Sequence, residues 1–165
     1  MKKIFLLSAV LFVVATSCDG GKKSPHQVAE GKEVSVIYGR PYKKDREIFG
    51  KLVPYGQVWR CGADEATEIT FDKDVQFAGK SLKAGTYTMF VIPNPTEWTI
   101  ILNSQLEQFG AFDYEKHKDK DVLQVMVPVK KPAQTIEQHT IRFTDANIMV
   151  IEWDQTQVEV PITAA

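Results

Sequence analysis

What most constrains this chain is a two-residue hydrophobic alternation that recurs from Glu33 almost to the C-terminus. Tyr87, Met89 and Val91 fall on one face of a run, and Thr88, Phe90 and Ile92 on the other. The same spacing links Trp98, Ile100 and Leu102; Leu123, Val125, Val127 and Val129; His139, Ile141 and Phe143; Met149, Ile151 and Trp153; and Val158, Val160 and Ile162. Side chains alternate across a strand, so short runs rich in β-branched and aromatic residues read as half-buried strands. Gly79, Gly85, Asn94-Pro95, Asp145-Ala146-Asn147 and Asp154-Gln155 punctuate them as turns. Adding Val34–Tyr38, Thr67–Phe71 and Val75–Phe77 gives about nine strands. The connections are too short for regular βα crossovers, so the strands should pair antiparallel. The expected fold is an all-β, jelly-roll-like antiparallel β-sandwich over residues 33–165, with at most one or two short helices. Ser104–Phe112 is expected to make a helical turn, and Asp113–Asp121 (DYEKHKDKD) a solvated charged loop.

The N-terminus has a different logic. Lys2 and Lys3 precede an apolar run, Ile4 to Ala15, broken only by Ser8, and Ala15-Thr16-Ser17 places small residues directly before Cys18. A basic start, a short apolar core and a small-residue cleavage site describe a secretory signal over residues 1–17. The run is shorter than the roughly 20 residues a spanning helix needs. A cysteine at the first mature position makes this a lipoprotein signal, with Cys18 as the acylated residue and the membrane as a partner through its lipid. Residues 18–32 are then a polar tether, whose last fourteen residues reach at most about 45–50 Å when extended. The expected location is the bacterial cell envelope, anchored in the outer membrane and facing the periplasm or the surface. The 20 Lys and Arg nearly balance the 21 Asp and Glu, and loss of Lys2 and Lys3 tips the mature chain further toward acid. No basic patch suits nucleic acid. With Cys18 acylated, only Cys61 remains, so the core must hold the domain without a disulfide.

Gly39–Glu65 (GRPYKKDREIFGKLVPYGQVWRCGADE) is the longest stretch without alternation. Long irregular connections in a compact domain are usually functional or disordered. Ile48, Phe49, Leu52, Val53 and Trp59 are apolar enough to pin this one to a core. Arg40, Arg46 and Arg60 can offer bidentate donors to a carboxylate or phosphate. Tyr42, Tyr55 and Trp59 can stack on a sugar or another flat ligand. Asp64 and Glu65 can orient an arginine or polarise a water. The competing reading is structural, with Arg60 paired to Asp64 or Glu65 as a clamp. If the segment runs extended, Trp59 and Arg60 point to opposite sides, and Trp59 is the better core residue.

Gly39-Arg40-Pro41, Leu52-Val53-Pro54-Tyr55-Gly56, Val58-Trp59-Arg60, Gly62-Ala63 and Glu65-Ala66-Thr67 resemble a bacterial family of secreted and lipid-anchored proteins known only as a domain of unknown function. The likeness runs over roughly residues 24–130, through Gly85-Thr86-Tyr87, Ile92-Pro93, Trp98 and Asn103, and is looser beyond. It implies a β-rich exported domain and brings no activity, ligand or catalytic residue. The family usually has a polar residue at position 61 and often asparagine at 64, so Cys61 looks like a local substitution.

Other chemistries fit less well. Cys61 has no histidine near it in sequence to act as a base. Glu137 and His139 share a strand face, which suits a metal pair no better than a surface pair. There is no phosphate-binding glycine loop and no GxSxG elbow. No metal or cofactor is expected. The function these residues favour is a non-catalytic envelope module that binds a carbohydrate, an anionic small molecule or a protein partner. The alternatives are a hydrolase or isomerase using Asp64 and Glu65 with the arginines, and a structural envelope component.

Overall fold

A computed structural model describes residues 24–165. The signal segment 1–17 and Cys18 lie outside the described residues. Eleven strands follow in order: β1 (His26–Gly31), β2 (Val34–Gly39), β3 (Thr67–Phe71), β4 (Val75–Phe77), β5 (Lys80–Leu82), β6 (Gly85–Pro93), β7 (Glu97–Asn103), β8 (Asp121–Lys130), β9 (Ile136–Phe143), β10 (Ile148–Asp154) and β11 (Thr156–Ala164). A one-turn helix, α1 (Tyr114–His117), and a 3-10 turn (Lys118–Lys120) precede β8. Among the described residues no helix is long and apolar enough to cross a membrane.

All the strand pairings are antiparallel, in the sheet order β1-β2-β3-β6-β7-β8-β11-β10-β9, with the β4–β5 hairpin hooked onto the end of β11. Past Gly39 the chain turns to β9. The Lys43 N–H donates to the Glu137 carbonyl at 2.7 Å, the His139 N–H donates to the Pro41 carbonyl at 2.9 Å, and Tyr42 bridges Gln138. These bonds bring the two ends of the sheet together, so it curls into a nearly closed barrel. The all-β antiparallel class is the expected one; a single sheet supplies both layers as its opposite walls.

The alternating residues fill the barrel. Val36, Ile69, Met89, Val91, Trp98, Ile100, Leu102, Ile151 and Val158 belong to one buried cluster. Each such side chain favours folding by about 1.5–3 kcal/mol relative to exposure. Its aromatic centre is dense: Trp59 stacks on Trp153 with ring centroids 6.1 Å apart, and Phe49 meets Trp98 at 5.0 Å.

Three elements differ from expectation. The ordered domain starts before Glu33, because His26–Gly31 pairs with β2 along its length and buries Ala29. Ser104–Phe112 forms no helix. The helical turn falls instead in the stretch expected as a charged loop, where buried Tyr114 anchors it and its hydroxyl donates to Asp121 at 2.7 Å. Tyr114 joins Ala66, Phe90 and Ile101 in a second small cluster. That cluster buries the alternate positions of β6 and β7, so both strands are covered on two sides.

Candidate functional site

The loop between β2 and β3 enters and leaves through a tight crossing of two backbones. A Cβ at Gly39 would lie 2.2 Å from the Ala63 carbonyl oxygen, and one at Gly62 would lie 2.9 Å from the Gly39 carbonyl. Only glycine permits this approach. Between these points the loop packs inward, with Ile48 and Val53 buried and Phe49 reaching the tryptophans. The Trp59 N–H donates to the Val91 carbonyl at 2.7 Å, and the Val91 N–H returns the bond at 2.9 Å. This extended pairing fixes Trp59 in the core, while Arg60 faces an open cavity of about 500 Å³.

The cavity has an apolar side from Trp59, Trp153, Leu52 and Val53. Its cations are Lys44, Arg46 and Arg60, and the carboxylate among its lining residues is Asp64. The exposed ring of Tyr42 stands at its edge, and the chain reaches it at Ser24. A volume of this size lies within the range of small-ligand pockets, roughly 300–1,000 Å³.

The expected site residues divide between this cavity and its surroundings. Arg40 is built into the barrel closure: its Nε donates to the His139 carbonyl at 3.1 Å, one terminal nitrogen to Thr140 Oγ1 at 2.9 Å, and the other to Gln27. Arg46 lines the cavity while holding its own loop, with its Nε donating to the Lys43 carbonyl at 2.9 Å and a terminal nitrogen to the Tyr42 carbonyl. Tyr55 is exposed and lies over Gly50, away from the lining. Glu65 places its carboxylate 3.0 Å from His26 Nε2, also outside the lining. Arg46, Arg60 and Asp64 are therefore brought together, and Arg40, Tyr55 and Glu65 are not.

Arg60 and Asp64 are both incompletely satisfied. Arg60 Nε and Asp64 Oδ2 are buried without a hydrogen-bond partner, and no ion pair joins the two residues. Burial lowers the Arg60 pKa, and the negative charge of Asp64 pulls the other way. Asp64 has a left-handed backbone, φ +64°, and its carbonyl accepts from the Gly110 N–H at 3.0 Å. The backbone thus fixes where its side chain emerges.

His139 has a role its spacing did not suggest. It is fully buried against Tyr38, Trp59 and Trp153, whereas Glu137 is exposed and accepts from the Lys44 N–H at 3.0 Å. Burial drives the imidazole pKa down to about 4. Neutral imidazole donates from one nitrogen, and here Nε2 meets the Cys61 carbonyl at 2.9 Å, leaving Nδ1 unpartnered. The Cys61 thiol is itself buried, which pushes its pKa up and keeps it protonated. Among the described residues no group of three or more His, Cys, Asp or Glu could hold a metal ion. Lys44 lies in the expected loop but is not singled out within it, and Trp153 comes from a position that reads as ordinary strand core.

Comparison with known families gives one result. A family model described as a protein of unknown function (DUF2911) matches residues 21–162. No curated protein and no solved structure matches the chain.

Proposed function

The chain belongs to that family of unknown function, and we propose that it is a lipid-anchored cell-envelope module that binds a small anionic molecule at Arg60 without transforming it. The observation that carries this reading is the buried, unpartnered Nε of Arg60 on the wall of an open cavity. A buried donor without an acceptor is costly, and the cost is greater for a charged group. Among the described residues the guanidinium has no hydrogen-bond or ion-pair partner, so a carboxylate or phosphate is the natural complement. Lys44 and Arg46 add to the positive field, and Trp59 and Trp153 supply apolar contact.

The geometry gives less support to a hydrolase or isomerase. Acid–base chemistry by two carboxylates needs both within reach of one substrate, and Glu65 is directed to His26 while Asp64 lines the cavity. The basic start, the short apolar run and the small residues before Cys18 support the envelope location.

The test is titration calorimetry of the full mature protein, purified from membranes in detergent, with citrate, glucuronate and inorganic phosphate. At least one anion should saturate a single site. Arg60→Gln should weaken it roughly 10- to 100-fold, the value of one hydrogen bond to a charged group. Absence of binding by all three, or undiminished affinity in the variant, would contradict the proposal.

A further inference from the structure

We infer that the molecule bound in this cavity carries a hydroxyl donor as well as its anion, as a sugar acid does, and that Asp64 selects for it. This rests on the reading of Arg60 as an anion site and adds to it. An ionised carboxylate only accepts hydrogen bonds. Asp64 Oδ2 is buried with no donor, and Arg60 supplies neither a hydrogen bond nor an ion pair to it. A simple anion would satisfy Arg60, leave Asp64 unsatisfied and bring a second negative charge toward it. A ligand with an acidic group and hydroxyls completes both residues at once.

Two further observations narrow the class. Lys44, Arg46 and Arg60 outnumber Asp64 in the lining, so an uncharged hydroxyl suits this field better than an ammonium donor. Trp59, Trp153, Leu52 and Val53 give the C–H faces of a ring an apolar surface. Asp64 is also held in place, because its left-handed φ of +64° and the bond from the Gly110 N–H at 3.0 Å fix its backbone. A side chain so constrained, with an orphaned acceptor, is suited to discriminate between ligands.

The test compares three probes on the full mature protein in detergent: glucuronate (anion and hydroxyls), cyclohexanecarboxylate (anion and ring only) and glucose (hydroxyls and ring only). Glucuronate should bind at least about tenfold tighter than either of the others, a single well-placed hydrogen bond being of that order. Asp64→Gly, which accepts the left-handed backbone, should erase the preference of glucuronate over cyclohexanecarboxylate. Asp64→Asn keeps the side chain's shape and should tighten cyclohexanecarboxylate by relieving repulsion, an effect that a merely structural role would not produce. If both acids bind equally and neither variant changes their ratio, water alone satisfies Asp64; the inference is then overturned and the anion site stands. If neither acid binds, this inference is overturned, and the anion site falls with it only if citrate and phosphate also fail to bind.

Discussion

The Nε2 atom of His139 lies 2.9 Å from the carbonyl oxygen of Cys61, a bond that ties strand β9 to the loop lining the cavity. Its imidazole pKa is lowered from 6.5 to about 4, chiefly by burial. In the unfolded chain the ring takes a proton near pH 6.5, and in the folded protein only near 4. The resulting stability is fully present above about pH 6.5 and is lost as pH falls through the window down to about 4. The loss amounts to about 3 kcal/mol. Urea denaturation from pH 7 to pH 4 should show this fall in the wild type and a much shallower one in His139→Gln, which keeps a donor and does not titrate. Parallel curves for the two proteins would mean that His139 does not govern the acid response.

Gly39 and Gly56 should respond very differently to alanine. At Gly39 the added Cβ would sit 2.2 Å from the Ala63 carbonyl oxygen, a backbone atom that cannot move without opening the crossing. At Gly56 nothing lies within 4 Å, and the cost is that of a left-handed backbone, φ +72°. Equilibrium unfolding should give about 1–2 kcal/mol for Gly56→Ala and about 3 kcal/mol or more for Gly39→Ala. The reverse order would mean that the two segments are not tightly crossed.

The barrel was readable because its inward residues obey a local rule. Leu123, Val125 and Val127 are buried as their spacing requires, and so are Met149, Ile151 and Trp153. Phe90 and Ile101 were harder, since their burial depends on Tyr114, a partner more than ten residues away that alternation within a strand does not reveal. Strand β1 carries no readable alternation, because only Ala29 is buried and its apolar neighbour Val28 is exposed. In the site, Arg40 and Arg60 are the same residue type in the same loop. What separates them is that Arg40 meets three acceptors, two on β9 and one on β1, and the Arg60 guanidinium meets none among the described residues. Adjacent Asp64 and Glu65 part company at a left-handed residue, a backbone choice that the sequence does not announce.

Acylation at Cys18 is the proposal that fixes where the cavity works. Intact-mass spectrometry of the membrane-purified protein should give a chain beginning at Cys18 and carrying acyl groups. Palmitate labelling should vanish in Cys18→Ala. An unmodified N-terminus, or labelling that persists in the variant, would remove the anchor from the account.

On the proposed reading, Arg60 is held ready for a ligand and is not a clamp. The direct test is the melting temperature of Arg60→Met with and without a saturating anion. Met keeps the length and apolar contact of the side chain and removes its charge, so the unliganded variant should melt at or above the wild-type temperature. It should also lose the rise that anion gives the wild type, since a ligand stabilises only the state that binds it. A fall equivalent to about 3–5 kcal/mol in the unliganded variant, the usual cost of breaking a buried ion pair, would contradict the claim and make Arg60 structural.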